Sequence, residues 1–307
     1  MSRFDEIQAF VQIVEAGSIT MAAEHLGLGK SAVSKRLAEL EERLGVELFH
    51  RTTRRLNLTD SGTGFYQRSK QILDDLIEAE NSVSQAHQEL RGELKIAAPL
   101  SFGVMHLGPA INEFSKQHPA IQFDIDFNDR QVDLLQEGFD LGIRIAELDD
   151  SSLMARKIAP VSLVVCASPE YLDKYGEPQS PDDLAQHNCL SYRYLANAHQ
   201  WTFIGRDKKS HSVKIKSQIQ ANNGDYLRQA AIEGLGIVRQ PTFIAYQSIL
   251  KGELIPILQD YSNPGLNAYA IYPPTRHLSQ RVRRFIDALV ERFSGTPYWD
   301  TCLETRK

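Results

Sequence analysis

The sequence predicts an α/β protein preceded by a small, mostly helical domain, and three observations lead there. Over residues 1–58 apolar side chains recur every three or four positions and the runs are closed by glycines, the pattern of short helices. From Gly92 onward short apolar runs alternate with helical stretches, the pattern of strands and their crossovers. Between the two, a stretch without proline from Thr59 to Leu90, and without glycine after Gly64, permits one helix of about thirty residues.

Composition sets the outer bounds. At 307 residues the chain exceeds what one core usually organises, so two or more domains are expected. Hydrophobic residues make up 42% and charged residues 24%, a globular mix that argues against a disordered, collagen-like or coiled-coil chain. A formal charge of −5 gives no overall attraction to polyanions, so nucleic-acid binding has to come from a local basic patch. Cys166, Cys189 and Cys302 are odd in number and far apart, with no CxxC pair, which suggests neither a disulfide framework nor a zinc site and fits a reducing compartment. No apolar run approaches the roughly 18 residues of a membrane span, and the N-terminus is acidic and amphipathic where a signal peptide is basic and then apolar. A cytoplasmic protein with no membrane partner is expected.

The elements follow in order. Phe4, Ile7, Phe10, Val11 and Val14 form one helical stripe that stops at Gly17. Ser18 or Thr20 can cap a second helix through Met21, Ala22, Ala23 and Leu26, ending at Gly27. A third runs over about 30–44, with Val33, Leu37, Leu40 and Leu44 inward, and stops at Gly45. Only Gly27-Leu28-Gly29 separates the second helix from the third, which leaves room for a tight turn and predicts a helix-turn-helix. Val46-Glu47-Leu48-Phe49 and Arg55-Leu56-Asn57-Leu58 then flank a polar turn, a hairpin or wing. In the long helix, Phe65, Ile72, Leu76, Ala79, Val83, Ala86 and Leu90 make a heptad-like seam, which either folds onto its own domain or pairs with a second copy. Beyond Gly92, strands are expected at about 94–98, 121–127, 141–145, 162–167, 201–204, 214–220, 236–239 and 268–272, with helices at about 101–117, 132–137, 226–233 and 280–293, in a parallel sheet.

Chemistry is concentrated on the third helix and the wing. Lys30, Ser31, Ser34 and Lys35 lie opposite Val33 and Leu37, and Arg51, Arg54 and Arg55 cluster on the wing with no acid between them. Cations and hydroxyls at a helix N-terminus suit phosphate clamping and base-edge contacts in a major groove. The same spacing also describes a solvated basic face, or a helix-turn-helix that binds only protein.

The segment Phe10-x-x-Ile13-Val14-Glu15-Ala16-Gly17-Ser18-Ile19-Thr20-x-Ala22-Ala23-x-x-Leu26, followed by Ser31-Ala32-Val33-Ser34-x-x-Leu37-x-x-Leu40-Glu41-x-x-Leu44-Gly45-x-x-Leu48-Phe49-x-Arg51 and Leu58-Thr59-x-x-Gly62, resembles the LysR-type transcriptional regulators. The resemblance implies a winged helix-turn-helix over 1–58, a linker and dimerisation helix over 59–91, and a periplasmic-binding-protein-like effector domain over 92–307. Lobe one of that domain would span about 92–162 and 268–295, and lobe two about 163–267. It implies a homodimer assembling into a homotetramer, a double-stranded DNA operator read by Lys30, Ser31, Ser34, Lys35, Arg51, Thr53 and Arg54, and RNA polymerase as a further contact. Many members carry proline where this chain has Ser31.

A small-molecule effector is then expected between the lobes, and no cofactor. Ligands of open α/β sheets bind beyond the carboxyl ends of strands, which points to Leu100, Ser101 and Phe102. Ser101 begins a helix whose N–H groups suit an anion, and Arg144 either pairs with the same anion or bridges to Asp140 or Glu147. Tyr192, Trp201, Asn222 and Gln240 would complete the cleft from lobe two, although Trp201 equally suits a core and Asn222-Asn223-Gly224 a helix-capping turn.

Other chemistry finds little support in the sequence. Gly234-x-Gly236 lacks the rest of a phosphate-loop fingerprint. His25, His50 and His106 lack metal-ligand spacing. Ser101 and His106 lie five apart with no nucleophile elbow, so no catalytic residue is assigned. No basic neighbour favours a thiolate at Cys166, and buried, inert cysteines are expected in place of a redox pair with Cys189. An enzyme or an exported solute binder with an accessory helical domain is the rival reading; the first needs a reactive constellation and the second a signal peptide.

Overall fold

A computed structural model describes residues 2–50, 56–83, 89–146, 153–195, 197–263, 265–274 and 278–304, in two compact units, Met1–Gly92 and Glu93–Lys307. The first opens with three helices, α1 (Arg3–Ala16), α2 (Ile19–Leu26) and α3 (Lys30–Leu44), each closed by a glycine in the left-handed region, Gly17, Gly27 and Gly45. Ser18 is the residue that caps α2, its hydroxyl accepting from Met21 N at 3.1 Å. Ala9, Phe10, Ile13, Ala22, Val33, Leu37, Leu40 and Leu48 form the buried cluster between these helices. Arg43 Nη2 donates to Glu6 Oε2 at 2.7 Å and ties α3 to α1.

The wing pairs β1 (Phe49–His50) with β2 (Asn57–Leu58), antiparallel, and is shorter than the apolar runs suggested. Its base is fixed by polar contacts: Glu41 Oε1 accepts from Leu48 N at 2.7 Å, and Thr59 Oγ1 donates to Glu47 O at 2.8 Å. Thr59 also caps the next helix, α4 (Asp60–Val83), by accepting from Gly62 N. A Cβ on Gly62 would stand 2.0 Å from Leu48 O, so the Leu58-Thr59-x-x-Gly62 motif marks a place where helix and wing backbone touch.

The second unit holds two five-stranded sheets. Lobe one orders its strands β4-β3-β5-β14-β6, from β3 (Gly92–Ala98), β4 (Ile121–Phe127), β5 (Leu141–Ala146), β6 (Met154–Val161) and β14 (Leu266–Tyr272). Its helices are α5 (Leu100–Phe102), continuing through a π-helical turn, Gly103–Leu107, into α6 (Gly108–Gln117), then α7 (Leu134–Glu137) and α11 (Gln280–Arg292). Lobe two orders its strands β11-β8-β12-β7-β13, from β7 (Leu163–Ala167), β8 (Asn188–Tyr192), β11 (Lys216–Ala221), β12 (Ile237–Pro241) and β13 (Ile255–Ile257). Around it stand α8 (Pro169–Tyr175), α9 (Gly224–Ile232), α10 (Thr242–Leu250) and an antiparallel hairpin of β9 (Gln200–Ile204) and β10 (Ser210–Lys214).

The sheets are mixed where a parallel sheet was expected. β3 and β5 are parallel, as are β8, β11 and β12, but β7, β13 and β14 run against their neighbours. The cause is the crossing: the chain leaves lobe one through β6, enters lobe two as β7 with only Ser162 between, and returns as β14. After α11 come a 3-10 turn, Tyr298–Asp300, and α12 (Thr301–Glu304), neither of which the apolar period of the sequence predicts.

Candidate nucleic-acid interface and interlobe cleft

On α3 the inner residues Val33, Leu37 and Leu40 are buried while Lys30, Ser31 and Lys35 are exposed and Ser34 is half-buried. The 3.6-residue period places Ser31 and Lys35 opposite the core and Ser34 on its flank, whereas Lys30, three residues before Val33, shares the inner stripe and is exposed because it is the first residue of the helix. Gly29 precedes the helix without a side-chain cap; its carbonyl accepts from Ala32 N at 2.9 Å, and no side chain caps the first turn that carries Lys30 and Ser31. Lys35 Nζ lies 3.7 Å from Glu39, an exposed i,i+4 pair that holds the ammonium only weakly. Arg51, Thr53 and Arg54 lie outside the described residues.

In the second unit, α5 follows the carboxyl end of β3 and faces the start of α9 across the lobes. Ser101 Oγ donates to Asp225 Oδ2 at 2.6 Å, a direct bond from lobe one to lobe two. The N–H of Leu100 donates to Asp129 Oδ1 at 2.9 Å, and the Tyr192 hydroxyl of lobe two also bonds that carboxylate. Burial, above all, raises the Asp129 pKa from its ordinary value, with a smaller push from the charge on Asp225. Tyr192 is raised too, first by burial and then by the Asp129 charge. On the far side Arg228 Nη2 lies 3.6 Å from Asp225 Oδ1.

Several expectations change here. The donors expected to receive an anion at Leu100 and Ser101 are already engaged by two of the chain's own carboxylates, Asp129 and Asp225. Neither was singled out in the sequence, although Asp225 follows Asn223, whose side chain caps α9. Ser101 is joined to Asp225, while Arg144 lies half-buried in β5 opposite Tyr269 of β14. Phe102 is wholly buried, its ring 5.3 Å from Phe243, and Trp201 is 2% exposed in the core beneath the β9–β10 hairpin. Both are packing residues, since an aromatic ring fills a core as readily as a pocket wall. The Arg239 guanidinium stands 5.1 Å over Trp201, and burial pushes its pKa down to about 10. Asn222 is exposed in the turn before α9. Gln240 is buried in β12, and its side-chain amide has no hydrogen-bond partner among the described residues.

Cys166 and Cys189 are buried in different clusters of lobe two, Cys166 with Leu227 and Ala245 and Cys189 with Trp201 and Leu184, on strands separated by β12. Burial pushes the Cys189 thiol up to about 12, far from a reactive thiolate. Among the described residues no group of three His, Cys, Asp or Glu is placed to hold a metal ion, and no helix is long and apolar enough to cross a membrane.

The chain resembles known proteins along nearly its whole length. Residues 4–63 match the family model for bacterial regulatory helix-turn-helix proteins of the lysR family, and residues 87–294 match the LysR substrate binding domain. An uncharacterized HTH-type transcriptional regulator of Haemophilus influenzae is 39% identical over 283 residues, covering 92% of this chain and 98% of that one. The HTH-type transcriptional regulator CrgA of Neisseria meningitidis is 35% identical over 292 residues, 95% of this chain and 97% of its own. The solved structure of CrgA superposes with a TM-score of 0.61 at 34% identity, covering 95% of this chain and 99% of that one. The full-length Vibrio cholerae virulence activator AphB gives 0.61 at 27% identity, covering 95% and 100%.

Proposed function

The chain belongs to the LysR-type family of transcriptional regulators, and from that premise we propose how its parts divide the work. It is a DNA-binding regulator with a substrate-binding domain, and its relatives are named as regulators, not enzymes. In our reading α3 enters the major groove of an operator. Ser34 and Lys35 read base edges there, while Lys30, Ser31 and the wing residues Arg51, Thr53 and Arg54 hold the phosphates. The observation that carries this is the exposed Lys and Ser face of α3, set on a core that buries the opposite face of the same helix.

The second half of the proposal concerns control. A small molecule enters between the lobes at Ser101, Asp129, Tyr192 and Asp225, and breaks or replaces the bonds that join the lobes there. An anionic effector has to displace Asp225 from Ser101, so the preference for an anion read from the sequence gains no support. α4 pairs with its counterpart in a second copy, two dimers form a tetramer, and RNA polymerase is a further contact at the promoter.

The test is a gel shift with DNA from the region upstream of the protein's own gene, titrated at several salt concentrations. Specific binding is expected, weakening steeply as salt rises because phosphate contacts release counterions. A protein that binds no such DNA at low salt but turns over a small molecule overturns the proposal.

A further inference from the structure

The match to the substrate binding domain ends at residue 294, yet the chain continues and seats itself where the lobes meet. Trp299 is fully buried, with its ring 6.0 Å from Phe102 and 4.6 Å from His106 of lobe one, 6.3 Å from Phe243 of lobe two, and 5.6 Å from Phe293 after α11. Asp300 accepts from Ser162, the residue of the crossing, at 3.0 Å and from Thr242, the first of α10, at 2.5 Å. Tyr298 places its hydroxyl 2.5 Å from His106 Nδ1, and His106 Nε2 lies 3.1 Å from the Phe243 carbonyl oxygen. A carbonyl only accepts, so Nε2 carries the proton and Nδ1 accepts the Tyr298 O–H. One neutral imidazole, on the π-helical turn of lobe one, thus joins the C-terminal segment to lobe two.

We propose that residues 297–304 are an interlobe strap that ties both lobes and their crossing together, and that the strap lets go when His106 takes up a proton. Protonation turns Nδ1 from acceptor to donor, so the Tyr298 O–H loses its acceptor and only the phenol oxygen can meet Nδ1–H, and it sets a charge among aromatic rings with little water, which is the larger cost. The groups that face His106 are the Tyr298 hydroxyl, the Tyr246 ring and Asp225 across the cleft; Arg292, bridged to Glu113, acts on Tyr298, and the other charge on the strap, Asp300, is held by Ser162 and Thr242. Burial holds the pKa down at about 4 against an ordinary 6.5, outweighing the bond to the Phe243 carbonyl and the charge on Asp225, both of which favour the charged imidazole. A released strap exposes the ring and returns the pKa toward that ordinary value. The ratio of released to strapped chains therefore rises as pH falls below 6.5, by up to about tenfold per unit and about 300-fold in all.

The full chain carries its own reporters, because its two tryptophans are Trp201 and Trp299. Trp201→Phe leaves Trp299 to report the strap, and Trp299→Phe leaves Trp201 to report the core of lobe two. Between pH 7.5 and 4.5 the Trp299 emission is expected to move to the red and its quenching by acrylamide to rise, while Trp201 stays unchanged. His106→Gln added to Trp201→Phe should abolish the pH dependence, whatever the starting wavelength. Tyr298→Phe in that background, which keeps the ring and removes the hydroxyl, should raise quenching at pH 7.5. A Trp299 signal that stays constant to pH 4.5, a shift shared equally by Trp201, or a transition that persists in His106→Gln each overturns the proposal.

Discussion

Lys35 stands on the exposed face of α3, one turn from Ser31, and its pairing with Glu39 is too exposed to fix it. If it reads a base edge, Lys35→Ala should cost about 1–3 kcal/mol on the operator and little on scrambled DNA, whereas a solvated cation would lose affinity equally on both. Parallel titrations of the two duplexes separate these outcomes, and equal proportional losses would remove Lys35 from the reading set. At this scale the sequence was informative where a period decides the answer: the burial of Val33 and Leu37 obliges Ser31 and Lys35 to lie on the other side, while Lys30, on their own stripe, is exposed only because it begins the helix. It was uninformative where burial alone decides. Trp201 and Phe102 look the same in sequence whether they line a cleft or fill a core, and only packing against Arg239 or Phe243 and Trp299 distinguishes the cases. Asp129 and Asp225 carry no local signal, because each owes its importance to a distant partner, Asp129 to Leu100, 29 residues away, and Asp225 to Ser101, 124 residues away.

Elements with a strong period were legible to the residue, and those without one were lost. α3 begins at Lys30 and ends at Leu44 because Gly29 and Gly45 bracket an uninterrupted apolar stripe. β6 was missed since Met154-Ala155-Arg156-Lys157-Ile158-Ala159-Pro160-Val161 lies at the sheet edge, where alternation is blurred and proline is tolerated. The long helix was extended too far: α4 is described to Val83, residues 84–88, with Ala86, lie outside the described residues, and Leu90 is not helical. Its seam divides as well. Phe65 of the seam packs on the cluster of its own domain, as does Leu73 outside it, whereas Ile72 is 46% exposed in the single chain and Leu76 is half-buried. An exposed isoleucine one turn from Leu76 is what a partner helix would cover. Ile72→Glu with Leu76→Glu would bury unpaired charges in such a seam, a cost of several kcal/mol, so the double variant should sediment as a monomer or aggregate. An unchanged oligomer would assign the seam to the domain's own core.

For the molecule as a whole, the switch from a period near 3.6 to short strands after Gly92 made the fold class and its order along the chain legible, because that switch reflects how each half buries its apolar faces. Strand direction was not legible, since it depends on a chain that crosses between lobes and returns. Nor was the final turn, whose Tyr298-Trp299-Asp300 has no period and takes its place wholly from rings and hydroxyls of other elements. The state of the two lobes is likewise a long-range property, carried by the Ser101–Asp225 bond and by Asp129 held between Leu100 and Tyr192. A double-mutant cycle measures how strongly the first of these closes the cleft. A hydrogen bond to a charged group contributes about 1.5–3 kcal/mol when buried; with Asp225 half-exposed and also beside Arg228, about 1 kcal/mol of coupling is expected between Ser101→Ala and Asp225→Ala in denaturant unfolding. The Asp225 variant alone should cost more than the Ser101 variant, because it strands the Ser101 hydroxyl and removes the carboxylate beside Arg228, which keeps only its bond to Ser248 among the described side chains. Additive losses within about 0.3 kcal/mol would mean that the two side chains do not act together, and that the lobes are held by the chain crossings and the aromatic cluster around Trp299 instead.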